Sequence, residues 1–228
     1  MKKKLLIFMF LFVALISLSA CGGKELNLCD YLIEERNNLF VANDELYTLN
    51  LSSGLRESNY QFDGVITDKV EFAVITFVRN DNLPLANDTY AYIVKINDEE
   101  FSGFLEKSPV DNTYVADLGV AVNDDAIISA KISFTGYTFS GELANISSAF
   151  GYDKNKVLEI ANNELGEEIK NILQDSNVKI EVVTKIMKDY SSVDVKNYYW
   201  YVDVISTNGD TLGILVDANS GEIIAKKV

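Results

Sequence analysis

From Leu26 to about Ile146, hydrophobic and polar residues alternate in short runs, each closed by Asn, Asp or Gly, and this period-two pattern predicts a succession of strands. Leu39-Phe40-Val41 and Leu46-Tyr47-Thr48-Leu49 flank Asn43-Asp44 as a hairpin, and Val70 to Val78 is a well-filled strand ended by Asn80-Asp81-Asn82. Tyr90 to Ile96 turns at Asn97-Asp98 into Glu100 to Leu105. The rhythm continues through Tyr114 to Val122, Ala126 to Thr135 and Tyr137 to Leu143. Short strands at this regular spacing predict an antiparallel sandwich.

After Ser147 the period changes. Val157, Leu158, Ala161, Leu165, Ile169, Ile172 and Leu173 recur at helical spacing behind Asp153, a residue suited to capping a helix, and Gly166 is placed to weaken that helix. Four strands follow, at 178–188, 198–205, 211–217 and 222–226, with Asn208-Gly209 and Asn219-Ser220-Gly221 as turns. The expected fold class is therefore α+β: an N-terminal antiparallel β-sandwich-like domain over 26–147, then a small domain over 148–228 with a helix packed on an antiparallel β-meander.

Alternation also assigns faces within the meander. Val178, Ile180, Val182 and Ile186 share one face of the first strand, while Lys179, Glu181, Val183, Lys185 and Met187 share the other. The second strand divides into Tyr198, Trp200, Val202 and Val204 against Tyr199, Tyr201, Asp203 and Ile205. One face is apolar and belongs beneath the helix. The other mixes tyrosines and charges, the composition of a surface able to bind, and Tyr199, Tyr201 and Asp203 are its candidate partner-contact residues. Packing of this face on the β domain, or plain exposure to solvent, is the alternative.

The run Tyr199-Trp200-Tyr201-Val202-Asp203-Val204, followed by Gly213 to Ile223 with its Val216-Asp217-Ala218-Asn219-Ser220-Gly221-Glu222-Ile223 ending, resembles the PepSY family over residues 148–228. That resemblance implies a helix on a curved antiparallel sheet and a role in restraining peptidases or in regulation within the cell envelope. It brings no catalytic residue with it.

The amino end has a different character. Lys2-Lys3-Lys4 precedes an apolar run from Leu5 to Ile16, which fits the core of a signal peptide and is too short for the ~20 residues of a membrane-spanning helix. Leu18-Ser19-Ala20-Cys21 then resembles the lipobox of bacterial lipoproteins. The resemblance implies cleavage after residue 20, lipidation of Cys21 and anchoring to the cell membrane on its extracytoplasmic face, with residues 21–25 as a short tether. Several acyl chains on one residue give a stable anchor, because each buried methylene contributes ~0.8 kcal/mol.

Charge and composition narrow the function. Three of the 20 basic residues and none of the 34 acidic ones lie in residues 1–20, so the formal net charge goes from −14 for the whole chain to −17 without them. No basic stripe remains to neutralise phosphates, which excludes nucleic acid as a partner. The same charge sets the folded body against anionic lipid headgroups.

The chain has no histidine, so Ser-His and Cys-His nucleophile pairs and His-containing zinc sites are excluded. With Cys21 lipidated, Cys29 is the remaining thiol, expected as a small buried residue rather than a nucleophile. Asn80-Asp81-Asn82, Asp98-Glu99-Glu100 and Asn123-Asp124-Asp125 lack the ligand spacing of a calcium loop and read as solvated turns. The expectation is a non-enzymatic protein with no metal and no cofactor. It binds a protein or peptide, for example an extracytoplasmic peptidase, and its oligomeric state is left open. The alternative is an adhesin or solute-binding lipoprotein whose ligand site lies on the β domain.

Overall fold

The computed structural model describes residues 26–44, 46–59, 61–79, 89–108, 113–134, 136–188 and 197–228. The expected signal peptide, Cys21 with its tether, and the Asn80-Asp81-Asn82 turn lie outside them. Eight strands precede the α-helix among the described residues: β1 (Leu32–Asn43), β2 (Tyr47–Glu57), β3 (Lys69–Arg79), β4 (Tyr90–Ile96), β5 (Glu99–Lys107), β6 (Thr113–Asp117), β7 (Ile128–Phe134) and β8 (Tyr137–Asn145). The helix α1 (Lys154–Ile172) is followed by β9 (Ile180–Lys188), β10 (Tyr198–Ser206), β11 (Thr211–Asp217) and β12 (Ile223–Lys227).

The first eight strands form a closed antiparallel barrel in the order β1-β2-β3-β6-β5-β4-β7-β8, and β8 returns to β1 through Phe40↔Asn145 and Val41↔Ala144. This overturns the sandwich. Sandwiches and barrels both turn alternate residues inward, so period two does not separate them. The difference lies in the β1–β8 pairing, which no local pattern encodes.

An eight-stranded barrel is just wide enough for side chains to fill its interior. Phe40, Leu49, Leu51, Ile75, Val94 and Ile132 are fully buried there. Phe77 is the hub of an aromatic cluster, with its ring centroid 5.4 Å from Tyr90, 5.8 Å from Phe139 and 6.2 Å from Tyr47. These side chains make the inside of the barrel a packed core.

The expected α+β class, with a separate helix-on-meander domain, is corrected as well: the chain is mainly β, and its last four strands extend the barrel's own sheet. The amino-terminal half of β1 pairs in parallel with β9 from Leu32↔Val182 to Arg36↔Lys185, and the sheet runs on through β10 and β11 to β12. At Asn37 a bulge shifts the β1 register, and beyond it β1 pairs with β8 on that side instead.

Asp153 caps α1 by accepting the Lys156 N–H at 3.0 Å. Val157, Leu158, Ala161, Leu165 and Ile169 then bury one stripe of the helix in a core with Val182, Trp200, Val202, Val204, Ile214 and Val216. Gly166 is buried and α1 runs unbroken through it, because packing of the stripe outweighs the roughly 1 kcal/mol cost of a helical glycine.

Candidate functional site

The face of β9, β10 and β11 turned away from α1 is ordered by two cross-strand rows. One runs Lys185–Tyr201–Leu215, and the other Val183–Asp203–Gly213. Both continue into the barrel, because β1 places Arg36 beside Lys185 and Glu34 beside Val183. Tyr199 lies one step further along β10, opposite Met187 and Asp217. The three sequence-derived contact residues therefore share one face, each half-buried.

Tyr201 and Asp203 act as a unit. Burial, together with the negative Asp203 beside it, pushes the Tyr201 phenol up to about 12. Gly213 lies against both: a Cβ there would meet Asp203 Oδ1 and Tyr201 Oη at 3.5 Å, an ordinary van der Waals contact. Burial raises Asp203 above the ordinary carboxylate value, although the neighbouring Tyr201 hydroxyl and the Lys227 and Lys185 charges act against it. The Lys185 ammonium stands 5.5 Å from the Tyr201 ring centroid, within cation–π range. Further along the same surface, the guanidinium groups of Arg36 and Arg56 lie 5.3 and 4.6 Å from the Phe72 ring centroid.

The loop joining β2 to β3, residues 58–68, reaches the same surface at its Glu181 end. Gly64 donates its N–H to the Glu181 carboxylate and rests against Lys179 and Thr207. Its φ is +74°, and a Cβ there would lie 2.6 Å from Lys179 Cβ, so the approach requires glycine. Glu57, at the end of β2, accepts the N–H of Thr67 from the same loop.

Glu57 and Glu181 are each only 1% exposed, and each keeps one buried oxygen without a partner, as does the Thr67 hydroxyl. Burial raises the Glu181 pKa, and the nearby Glu57 and Asp63 charges raise it further, against backbone hydrogen bonds from Gly64 and Asp63. Two buried acids therefore pin a loop whose own apolar side chains face outward: Phe62 is 51% exposed, Val65 49% and Ile66 40%.

Sequence reasoning found Tyr199, Tyr201 and Asp203 but missed Glu57 and Glu181. The one available signal was Glu181 with apolar Ile180, Val182 and Val183 as its strand neighbours. Cys29 is exposed, contrary to the buried position expected of it: in the 3₁₀ turn Leu28–Tyr31, Leu28 takes the buried place and turns its neighbour outward. Among the described residues, no group of three or more Cys, Asp or Glu side chains is placed to hold a metal ion. The chain matches no known protein family, no curated protein and no solved structure.

Proposed function

We propose that this chain is a lipid-anchored extracytoplasmic binding protein that docks a protein or peptide on the surface formed by Tyr199, Tyr201, Asp203 and the β2–β3 loop. What carries the reading is the contrast between that surface and the barrel. α1 covers the opposite face of the sheet, whereas here half-buried tyrosines and paired charges border exposed Phe62, Val65 and Ile66. Aromatic residues at the centre with polar groups around them are the usual make-up of a protein interface. The filled barrel favours this role over a solute carried inside it. Tyr201, fixed by Asp203 and Lys185, loses little freedom on binding and is the expected anchor.

Two measurements test the two halves of the proposal. Wild-type protein expressed in bacterial cells should fractionate with membranes and carry acyl mass on Cys21, and Cys21→Ala should carry none; an unlipidated wild type refutes the anchor. For docking, the Tyr199→Ala/Tyr201→Ala double variant should keep its circular dichroism spectrum. It should recover at least tenfold less of any protein that wild type captures from solubilised membranes, as quantified by mass spectrometry. Equal capture by a folded double variant refutes the docking surface.

A further inference from the structure

Where the barrel meets α1 and β10, a crevice of about 360 Å³ opens to solvent, well apart in chemistry from the tyrosine face. The volume falls in the lower range of small-molecule sites. Asn37 and Asn38 enter it from β1 at the bulge, a feature that re-aims side chains and is common beside binding sites. Ser148 and Asn155 face them from the segment after β8 and from the first turn of α1. Phe150 supplies an apolar wall and Tyr152 lies beside it, its ring packed on Gly221 and its carbonyl accepting the Trp200 indole N–H at 2.9 Å.

The charged groups lining the crevice are mostly engaged elsewhere. Lys154 is paired with the buried carboxylate of Glu35, and Asp153 is held as the helix cap. Asp124 adds a negative charge, which disfavours an anion. Asn145 and Ser147 are occupied in shaping the rim: Asn145 Nδ2 donates to the Asp124 carbonyl at 2.8 Å, and its Oδ1 accepts the Ser147 hydroxyl at 2.7 Å.

The amides of Asn38 and Asn155 and the Ser148 hydroxyl make no hydrogen bond with described residues, and Asn37 Oδ1 is buried without a partner. Neutral amides and a hydroxyl that both donate and accept, set beside an aromatic ring, match a ligand with many hydroxyl groups and no charge. We infer that this crevice binds a neutral sugar, its hydroxyls held by Asn38, Ser148 and Asn155 and its apolar edge against Phe150.

The test titrates isotope-labelled full-length protein in detergent with glucose or N-acetylglucosamine, and separately with inorganic phosphate, by amide NMR. One of the sugars should shift the side-chain amides of Asn38 and Asn155 and the Trp200 indole N–H, with a Kd on the order of 1 mM. The Asn38→Ala/Asn155→Ala variant should bind at least tenfold more weakly. If it does not fold, Ser148→Ala and Asn155→Ala singly, both at exposed positions, should each weaken binding several-fold. The inference is overturned if neither sugar shifts these signals, if phosphate alone does, or if the folded variants bind the sugar as wild type does.

Discussion

Replacing Phe77 with alanine is expected to destabilise the protein by about 4 kcal/mol, the usual cost of truncating a large aromatic ring in a core that does not collapse to refill the space. Phe77 is fully buried on β3, with rings from β2, β4 and β8 around it, so the loss falls on several strands together. The cavity would lie inside a closed ring of backbone hydrogen bonds, which resists local relaxation. For a chain of this size the melting temperature should drop by roughly 10 °C. Phe62→Ala on the exposed loop is the control and should stay within ~0.5 kcal/mol of wild type. Urea unfolding of the two variants checks both figures. A loss at Phe77 below ~1 kcal/mol is incompatible with a barrel filled by side chains.

Glu181→Gln should have its main effect on pH dependence. Glu181 has a raised pKa in the folded protein, so the folded state binds its proton more tightly than the unfolded chain does. Its contribution to stability is fully present below about pH 4.5, the ordinary value, and is lost as pH rises through the raised folded value. At neutral pH two buried acids then face each other beneath the loop, with Asp63 adding to the repulsion and Lys179 beside Gly64.

Glutamine keeps the shape and the acceptor for Gly64 but carries no charge. The variant should therefore melt a few degrees above wild type near pH 7.5, and the gap should close toward pH 4. Carboxylates with lowered pKa, such as Glu35 held down by Lys154, change stability in the opposite sense but cancel in the difference. A gap that stays constant with pH would remove Glu181 as the titrating group. Because these acids hold the loop bearing Phe62, Val65 and Ile66, partner capture at neutral pH should rise in the variant if docking uses that loop.

Local elements were legible wherever a side chain's neighbours in sequence decide its environment. The run Thr211 to Asp217 coincides with β11, Asp153 caps α1 as its position suggested, and the Asn97-Asp98 turn joins β4 to β5 with Asn97 at φ 54°. The common face of Tyr199, Tyr201 and Asp203 followed from period two alone. Closure of the barrel did not, because it depends on Phe40 and Val41 of the first strand meeting Asn145 and Ala144 of the eighth. The parallel β1–β9 pairing is equally non-local, and it turned an expected second domain into an extension of the first sheet. The burial of Glu181 was not legible for the same reason: what buries it is a loop whose Gly64 approaches from another part of the chain.

The position of β1 also has a mechanical consequence. Tension applied at the amino end enters this strand within a few residues of Leu28. It runs along the strand's length, across antiparallel bonds to β2 and parallel bonds to β9. Those bonds lie at a steep angle to the pull and share the load together, so the seam shears as a unit instead of peeling open pair by pair. A body held from that end would keep both its barrel and its outer strands under drag.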